Sequence, residues 1–329
     1  MNAATLVIIY NHHYPKNIER LDLIYKDKFK SIYHLIPFYS GEKSNVIPVY
    51  GNSFYFQGYI AQAFARLSQE SSDHFIFIAD DMILNPKIDE ESYKEIFDID
   101  LDDNFIPYFD LLSEKKTFWH RVPEALTWQI KKPGLEITSL LPTPKEAEEI
   151  FRDLGWTNLF ATPVGAFEKG FSYLPILKSN PWNLRKTLKA LYNLIRTNTR
   201  IMKKNYRLGR KIRSRWNLKF SKGEILLEYP LVGAYSDLLV INKQSFPQFA
   251  RYCGLFAASE LFVELAIPTA LVFSSKNIVT ESDTTRSGRA YWGEEVKELS
   301  VFEFKLNNLL ENFPDEKLYI HPVKLSEWK

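Results

Sequence analysis

"FIFIADDMILNP", residues 75–86, sets the problem this chain poses. Four of its first five residues are large and apolar, which reads as a strand buried on both faces. Two adjacent aspartates, Asp80 and Asp81, end it. Two like charges held together at the end of a buried strand repel one another unless something positive sits beside them.

The flanking sequence gives that strand a context. "TLVIIYN" (5–11) is β-branched and apolar, a first buried strand ending in Asn11. A helix is predicted over 17–29, strands over 31–40 and 45–50, and a helix over 53–69, where Phe56, Ile60, Ala63, Phe64 and Leu67 fall at helical spacing. The strand at 74–79 follows. Strand, helix, strand, strand, helix, strand predicts an α/β unit with a mostly parallel sheet. Ligands of such sheets bind outside the carboxyl ends of the strands, where Asn11 and Asp80–Asp81 both fall.

Further along, "TPKEAEEIFRDLG" (143–155) carries a helix start: Thr143 as N-cap, Pro144 in the first turn and Glu146 three residues on. Residues 181–216 read as a long basic helical stretch with Leu184, Leu188, Leu191, Leu194 or Ile195, and Ile201 in an apolar stripe. Two strands and a helix are predicted over 224–254, a helix over 258–267 and a strand over 269–275. Residues 280–295 read as a loop, and 300–311 as a helix before "KLYIHPVKLSEWK".

Composition bounds the class. The chain has 329 residues, 45% hydrophobic and 25% charged, enough to bury a substantial core. Apolar runs are broken by charge within about ten residues, too short for a membrane span. A strand-like run begins directly at the start, so a secretory signal is not expected. One cysteine, Cys253, excludes an internal disulfide framework and points to a cytoplasmic setting. The net charge of +2 conceals an asymmetry. From Gly170 through Gly223 there is no Asp or Glu but 15 Lys and Arg, leaving 27 basic and 40 acidic residues elsewhere.

A strand ending in paired carboxylates on the ligand side of an α/β sheet suits a hard divalent cation. Mg²⁺ and Mn²⁺ take oxygen ligands from one or two carboxylates plus substrate phosphates. The other reading of Asp80 or Asp81 is a cap on the following turn.

The first 90 residues resemble the nucleotide-sugar half of a GT-A glycosyltransferase. In that family an apolar strand leads to a short acidic motif, usually Asp-x-Asp, and "IADDMILNP" is similar to variants with contiguous acids. The resemblance implies a GT-A-like, Rossmann-related mixed sheet flanked by helices, with Asp80 and Asp81 holding Mn²⁺ or Mg²⁺ on the donor diphosphate. It implies Tyr10 and Asn11 around the base and ribose, with Asn52 and Gln57 approaching the nucleotide. "GAYSDLLVINKQSFPQF" (233–249) resembles the acceptor side of such enzymes. In "AASELFVELAI" (257–267), Glu260 and Glu264 lie one helical turn apart; an acid here acts as base on the acceptor hydroxyl in inverting members, and Glu260 is preferred. A purely structural role for both acids is the alternative. His321 in "YIHPVKL" is similar to a late histidine that completes the metal site, which favours Mn²⁺. Lys324, Arg286 and Arg289 are placed to neutralise diphosphate charge, the arginines from a lid-like loop, with a solvated loop as the alternative. His12 and His13 follow the first strand without a further reason to be ligands.

The expected organisation is one integrated catalytic domain: a nucleotide-sugar half (1–90), a connecting α/β region (91–177), a basic helical insertion (178–222) and an acceptor-side half (223–329). The expected activity is metal-dependent transfer of a sugar from a nucleotide-sugar donor to a glycan or lipid-linked acceptor, inverting by direct displacement, in bacterial surface polysaccharide or lipopolysaccharide assembly. The basic stretch suits an anionic membrane surface, which fits a peripheral position on the inner face of the membrane. Nucleic acid is the weaker partner, because Tyr192, Tyr206 and Trp216 are a thin aromatic set for base stacking. A solvated helical hairpin is the plain alternative. Two rival functions stay open: a nucleotidyltransferase, against which "NHHYPKN" (11–17) lacks a Gly-rich basic loop, and a non-enzymatic binder of nucleic acid or membrane.

Overall fold

The computed structural model describes residues 4–112, 121, 124–125, 128–131, 134–137, 139–156, 161–163, 219–221, 224–227 and 229–329. The chain separates into two units, one made of Met1–Phe109 with Ala234–Lys329 and one of Asp110–Gly233.

The first unit begins with the predicted alternation. β1 (Ala4–Ile9), α1 (Asn17–Tyr25), β2 (Ser31–Pro37), β3 (Val46–Val49), α2 (Gln57–Leu67) and β4 (His74–Ala79) follow in order. A short 3-10 turn, Ser53–Tyr55, leads into α2. β5 (Ile83–Leu84), α3 (Tyr93–Phe97) and β6 (Asn104–Phe105) complete the N-terminal part. All six residues of β1 and all six of β4 are buried, because helices cover both faces of the sheet.

The second unit contains β7 (Asp110–Leu111), α4 (Pro144–Asp153), β8 (Ala161–Pro163), β9 (Lys219–Ser221), β10 (Glu224–Leu226) and β11 (Val232–Gly233). α4 starts where the sequence predicts. The Thr143 side chain accepts from the Glu146 amide and the Glu146 carboxylate accepts from the Thr143 amide. β8, β10 and β9 form an antiparallel sheet, and β7 pairs with β11. The basic helical stretch expected over 181–216 lies outside the described residues.

The chain returns to the first unit with β12 (Leu238–Asn242), α5 (Phe246–Ala258), α6 (Val263–Ser274), β13 (Ile278–Val279), β14 (Ser287–Ala290), α7 (Leu306–Glu311) and β15 (Lys317–His321). The result is an α/β architecture whose central sheet has seven strands in the order β13-β6-β12-β4-β1-β2-β3. β3, β2, β1 and β4 are mutually parallel, whereas β12 runs antiparallel to β4 and to β6. The sheet is therefore mixed, as expected, with the N-terminal strands parallel and β12 reversed between β4 and β6.

The structure departs from expectation over 258–275. A helix over 258–267 and a strand over 269–275 were expected; instead 259–262 is the turn out of α5, and α6 runs as one helix from Val263 to Ser274. "TALVFSS" reads as a strand because it is apolar on every side, but a helix enclosed by protein has the same composition. Pro268 sits inside α6 and lacks the N–H that would bond the Glu264 carbonyl. The Ala234 amide donates to that carbonyl instead, at 3.0 Å. The helix expected over 300–311 divides into a 3-10 segment, Gly293–Phe302, and α7, and the loop expected over 280–295 contains β14.

Packing on the α2–α5 face depends on small residues. A Cβ at Gly58 would lie 2.9 Å from the Ala257 Cβ, so the two helix backbones approach only because position 58 has no side chain. Phe246, fully buried, meets the rings of Phe75, Phe64 and Phe77 at centroid distances of 4.4, 5.3 and 6.0 Å. Phe246→Ala is expected to cost about 3–5 kcal/mol through lost burial and a residual cavity. A urea midpoint unchanged from wild type would contradict this packing. No helix among the described residues is long and apolar enough to cross a membrane.

Candidate functional site

β4 carries the two aspartates to the carboxyl edge of the sheet. The Asp80 amide donates to the Ile9 carbonyl of β1 (3.0 Å), and the Met82 amide turns back onto Ala79 (3.1 Å). Asp80 is thus fixed between the ends of two parallel strands. Its carboxylate accepts from Asn17 Nδ2 at 3.1 Å, at the start of α1, and from the Asn11 backbone amide. Burial, and then the charge of Asp81, push the Asp80 carboxyl up to about 7, against the opposing pull of these donors.

Asp81 is held from the far end of the described chain. Its carbonyl accepts from the Val323 amide, and β5, which follows two residues later, pairs antiparallel with β15 through Tyr319↔Leu84 and Ile320↔Ile83. That pairing sets His321 Nε2 3.1 Å from Asp81 Oδ1. Burial works against charge on His321, but the acids around it, Asp81 first and then Asp237 and Asp80, hold its pKa above the ordinary value. The imidazole lies against Tyr235 and Trp292, with ring centroids 5.7 and 5.6 Å away.

Beside β4, the antiparallel β12 starts at this same edge. The Asp237 carbonyl accepts from the Ala79 amide at 3.0 Å. A narrow crevice here is lined by Ile9, Asn11, Phe56, Ala79, Ser236 and Asp237 among others. Two buried polar atoms around this edge have no hydrogen-bond partner: Ser236 Oγ and His321 Nδ1. Buried groups of this kind ordinarily find partners, so the edge has bonding capacity to spare.

The structure brings Asn11, Asp80, Asp81 and His321 together, and disperses the rest of the expected set. Tyr10 is fully buried, its hydroxyl 3.0 Å from His34 Nδ1, while His34 Nε2 is 2.8 Å from Asp22 Oδ1. Burial, with Asp80 and Asp22 adding to it, raises the Tyr10 pKa. Tyr10 is therefore a core residue behind Asp80, and its expected place beside a base and ribose is corrected to this interior network. Gln57 is also fully buried; its Nε2 donates to the Leu261 carbonyl at 2.8 Å, so it braces the turn between α5 and α6. Asn52 is exposed and caps the 3-10 turn by accepting from the Phe54 amide.

Arg289 lies over the Tyr291 ring and pairs with Glu298 and Glu295 at 3.3 and 3.8 Å. Arg286 Nε donates to the Asp315 carbonyl, and exposed Lys324 faces Glu327 at 3.9 Å. Glu260 is exposed, on a left-handed turn (φ 57°) between α5 and α6, and not in the first turn of a helix as expected. Gln57 anchors that turn beside the start of α2, which places it at the carboxyl edge. Glu264 is partly buried in the first turn of α6.

Sequence reasoning missed Asn17, Tyr235, Asp237 and Trp292. Asp237 had a signal, an acid just ahead of an apolar strand, but in a parallel strand that position falls at the opposite edge. Among the described residues no group of three or more His, Cys, Asp or Glu side chains is arranged to hold a metal ion. Asp81 and His321 stand as a pair, and Asp80 is turned toward Asn17. Comparison of the chain with protein-family models, with curated proteins and with solved structures gave no match.

Proposed function

We propose that this chain is a GT-A-like glycosyltransferase that moves a sugar from a nucleotide-sugar donor to a glycan or lipid-linked acceptor. The observation that carries the reading is the joining of His321 to Asp81, beside Asp80, at the carboxyl edge of the parallel strands. The residues present fit a divalent cation that brings further ligands with its substrate. Asp81 offers oxygen and His321 nitrogen, and beside them burial and then the charge of Asp81 raise the Asp80 carboxyl. Bound there, Mn²⁺ or Mg²⁺ would neutralise a diphosphate leaving group.

This chain's own groups do the rest in the proposal. Asn17 and the Asn11 amide fix the Asp80 carboxylate, while β15 fixes His321. Glu260, exposed at the same edge, takes the proton of the acceptor hydroxyl in a direct displacement with inversion. The basic stretch 178–222 supplies a surface for the anionic membrane that would carry a lipid-linked acceptor.

The test is thermal unfolding against UDP-, GDP-, CMP- and TDP-sugars, each with and without Mn²⁺. One nucleotide class should raise the midpoint by roughly 5 °C at saturating ligand, and only with the metal. No shift with any of the four classes would reject the transferase.

A further inference from the structure

The first helix and the last residues of the chain are stitched together around a basic cavity. Arg20 of α1 donates through Nη1 to the carbonyls of Leu325 and Trp328, the latter at 3.0 Å. The Lys329 amide donates to the Phe304 carbonyl at 2.9 Å, and the Leu306 amide donates to the Lys329 carbonyl at 2.8 Å. These bonds fix α1, 304–306 and 325–329 against one another. Between them lies a cavity of about 360 Å³ lined by Arg20, Lys305, Leu306, Asn307, Asn308 and Lys329.

The lining carries one sign of charge. Its three ionisable side chains are all basic, and its two asparagines add amide donors. Both carbonyl bonds of Arg20 use Nη1, which holds the guanidinium in place and leaves Nε and Nη2 as donors. One acid, Glu303, meets Lys305 at the exposed rim. Such a lining suits the oxygens of a phosphate.

The rim is apolar. Val301 is 75% exposed, Leu23 65% and Phe304 38%. Leu23 is three residues beyond Arg20 on α1 and so neighbours it on the helix surface. Phe304 directly precedes Lys305 and rests edge-on against buried Trp328, with ring centroids 5.7 Å apart. Glu303 and Phe304 both adopt left-handed backbone, at φ 55° and 51°, which two successive residues with a Cβ occupy at a cost. A strained turn therefore carries an aromatic ring at the lip of the cavity.

Cavity and rim together restrict the occupant. A free phosphate ester would pair with the cations and leave the rim in water. An apolar protein surface would cover the rim and leave the cations unpaired. An anionic membrane supplies both halves, a headgroup phosphate and the acyl boundary beneath it.

We propose that this face docks on an anionic membrane. The phosphate of one phospholipid headgroup enters the cavity among Arg20, Lys305 and Lys329, and Val301, Phe304 and Leu23 dip into the acyl boundary. The contact stands apart from the transferase reading and from the basic stretch 178–222.

The experiment is cosedimentation of the full chain with vesicles of phosphatidylcholine alone, and of phosphatidylcholine mixed equally with phosphatidylglycerol. Wild type should prefer the mixed vesicles. Affinity for them should fall about fivefold per lysine, hence about 25-fold in the double variant Lys305→Ala/Lys329→Ala. Phe304→Ser should lose about fivefold through the apolar contact. Glu303→Gln, which frees Lys305, should gain about threefold. Both lysines are exposed, so the thermal midpoint of the double variant should match wild type, which separates lost docking from lost folding.

Equal binding of wild type and the double variant would overturn the proposal and leave 178–222 as the membrane contact. Wild-type affinity in Phe304→Ser would overturn the insertion of the rim. Inorganic phosphate forms the control arm. A phosphate-induced rise in midpoint that the double variant loses, in a protein that binds neither vesicle, would assign the cavity to a free phosphate and overturn the docking.

Discussion

Asp80→Asn should abolish sugar transfer and, in the metal-free protein at pH 8, raise stability. Both results follow from one carboxylate. Its folded-state pKa of about 7 lies well above the ~3.9 of an unfolded aspartate. Between those values the folded chain keeps a proton that the unfolded chain has lost. Stability is therefore fully present below about pH 4, falls as pH rises toward 7 and stays low above it. His321 adds the same sign, since its raised pKa is a contribution lost as pH rises through it. A shift of this size corresponds to at most about 4 kcal/mol. Asparagine keeps an acceptor for Asn17 Nδ2 and the Asn11 amide while removing the charge, so about 2 kcal/mol should be regained. Adding Mn²⁺ should reverse the order, because it stabilises wild type and not the variant. Wild-type transfer by Asp80→Asn, or a variant less stable at pH 8 than at pH 5 by the wild-type margin, would remove Asp80 from the role given to it.

Glu260→Gln should lower kcat by about 10²–10³-fold while leaving the donor-induced thermal shift intact. The amide keeps the size of the side chain and loses the ability to take a proton. Its backbone supplies a second readout. Glu260 adopts a left-handed conformation (φ 57°) that a residue with a Cβ occupies at a cost. Glu260→Gly should accordingly raise the unfolding midpoint slightly while losing transfer as completely as the glutamine variant. A position kept for the turn alone would gain stability without losing activity. Full activity in Glu260→Gln would shift attention to Asp237, an acid whose charge acts on His321.

The N-terminal half of the sheet was legible because its signals are local. β4 occupies the expected 74–79, β2 and β3 fall within their expected ranges, and β1 starts one residue before its own, since continuous apolar runs and intervening amphipathic helices specify parallel strands without reference to distant residues. The Thr143 cap was legible for the same reason. The second half was not. α6 carries apolar side chains on all faces, so periodicity could not separate it from a strand, and its interior proline is offset by Ala234, about thirty residues away. In the candidate site, Asp80, Asp81 and Asn11 were readable as strand ends. Asp237 was not, because its nearness to Ala79 depends on the reversed direction of β12. Trp292 was passed over because only the placement of β14 beside β15 sets it against His321.

The pairing of β5 with β15 has a consequence for biosynthesis. Asp81 and His321 are 240 positions apart, and the amide that bonds the Asp81 carbonyl belongs to Val323. At ribosomal rates of about 5–20 residues per second, roughly 10–50 s separate the emergence of the acid from that of its imidazole. Throughout that interval the parallel strands can assemble, but their acidic edge has no partner strand and no histidine. The order of translation thus leaves this edge incomplete until the last strand has emerged.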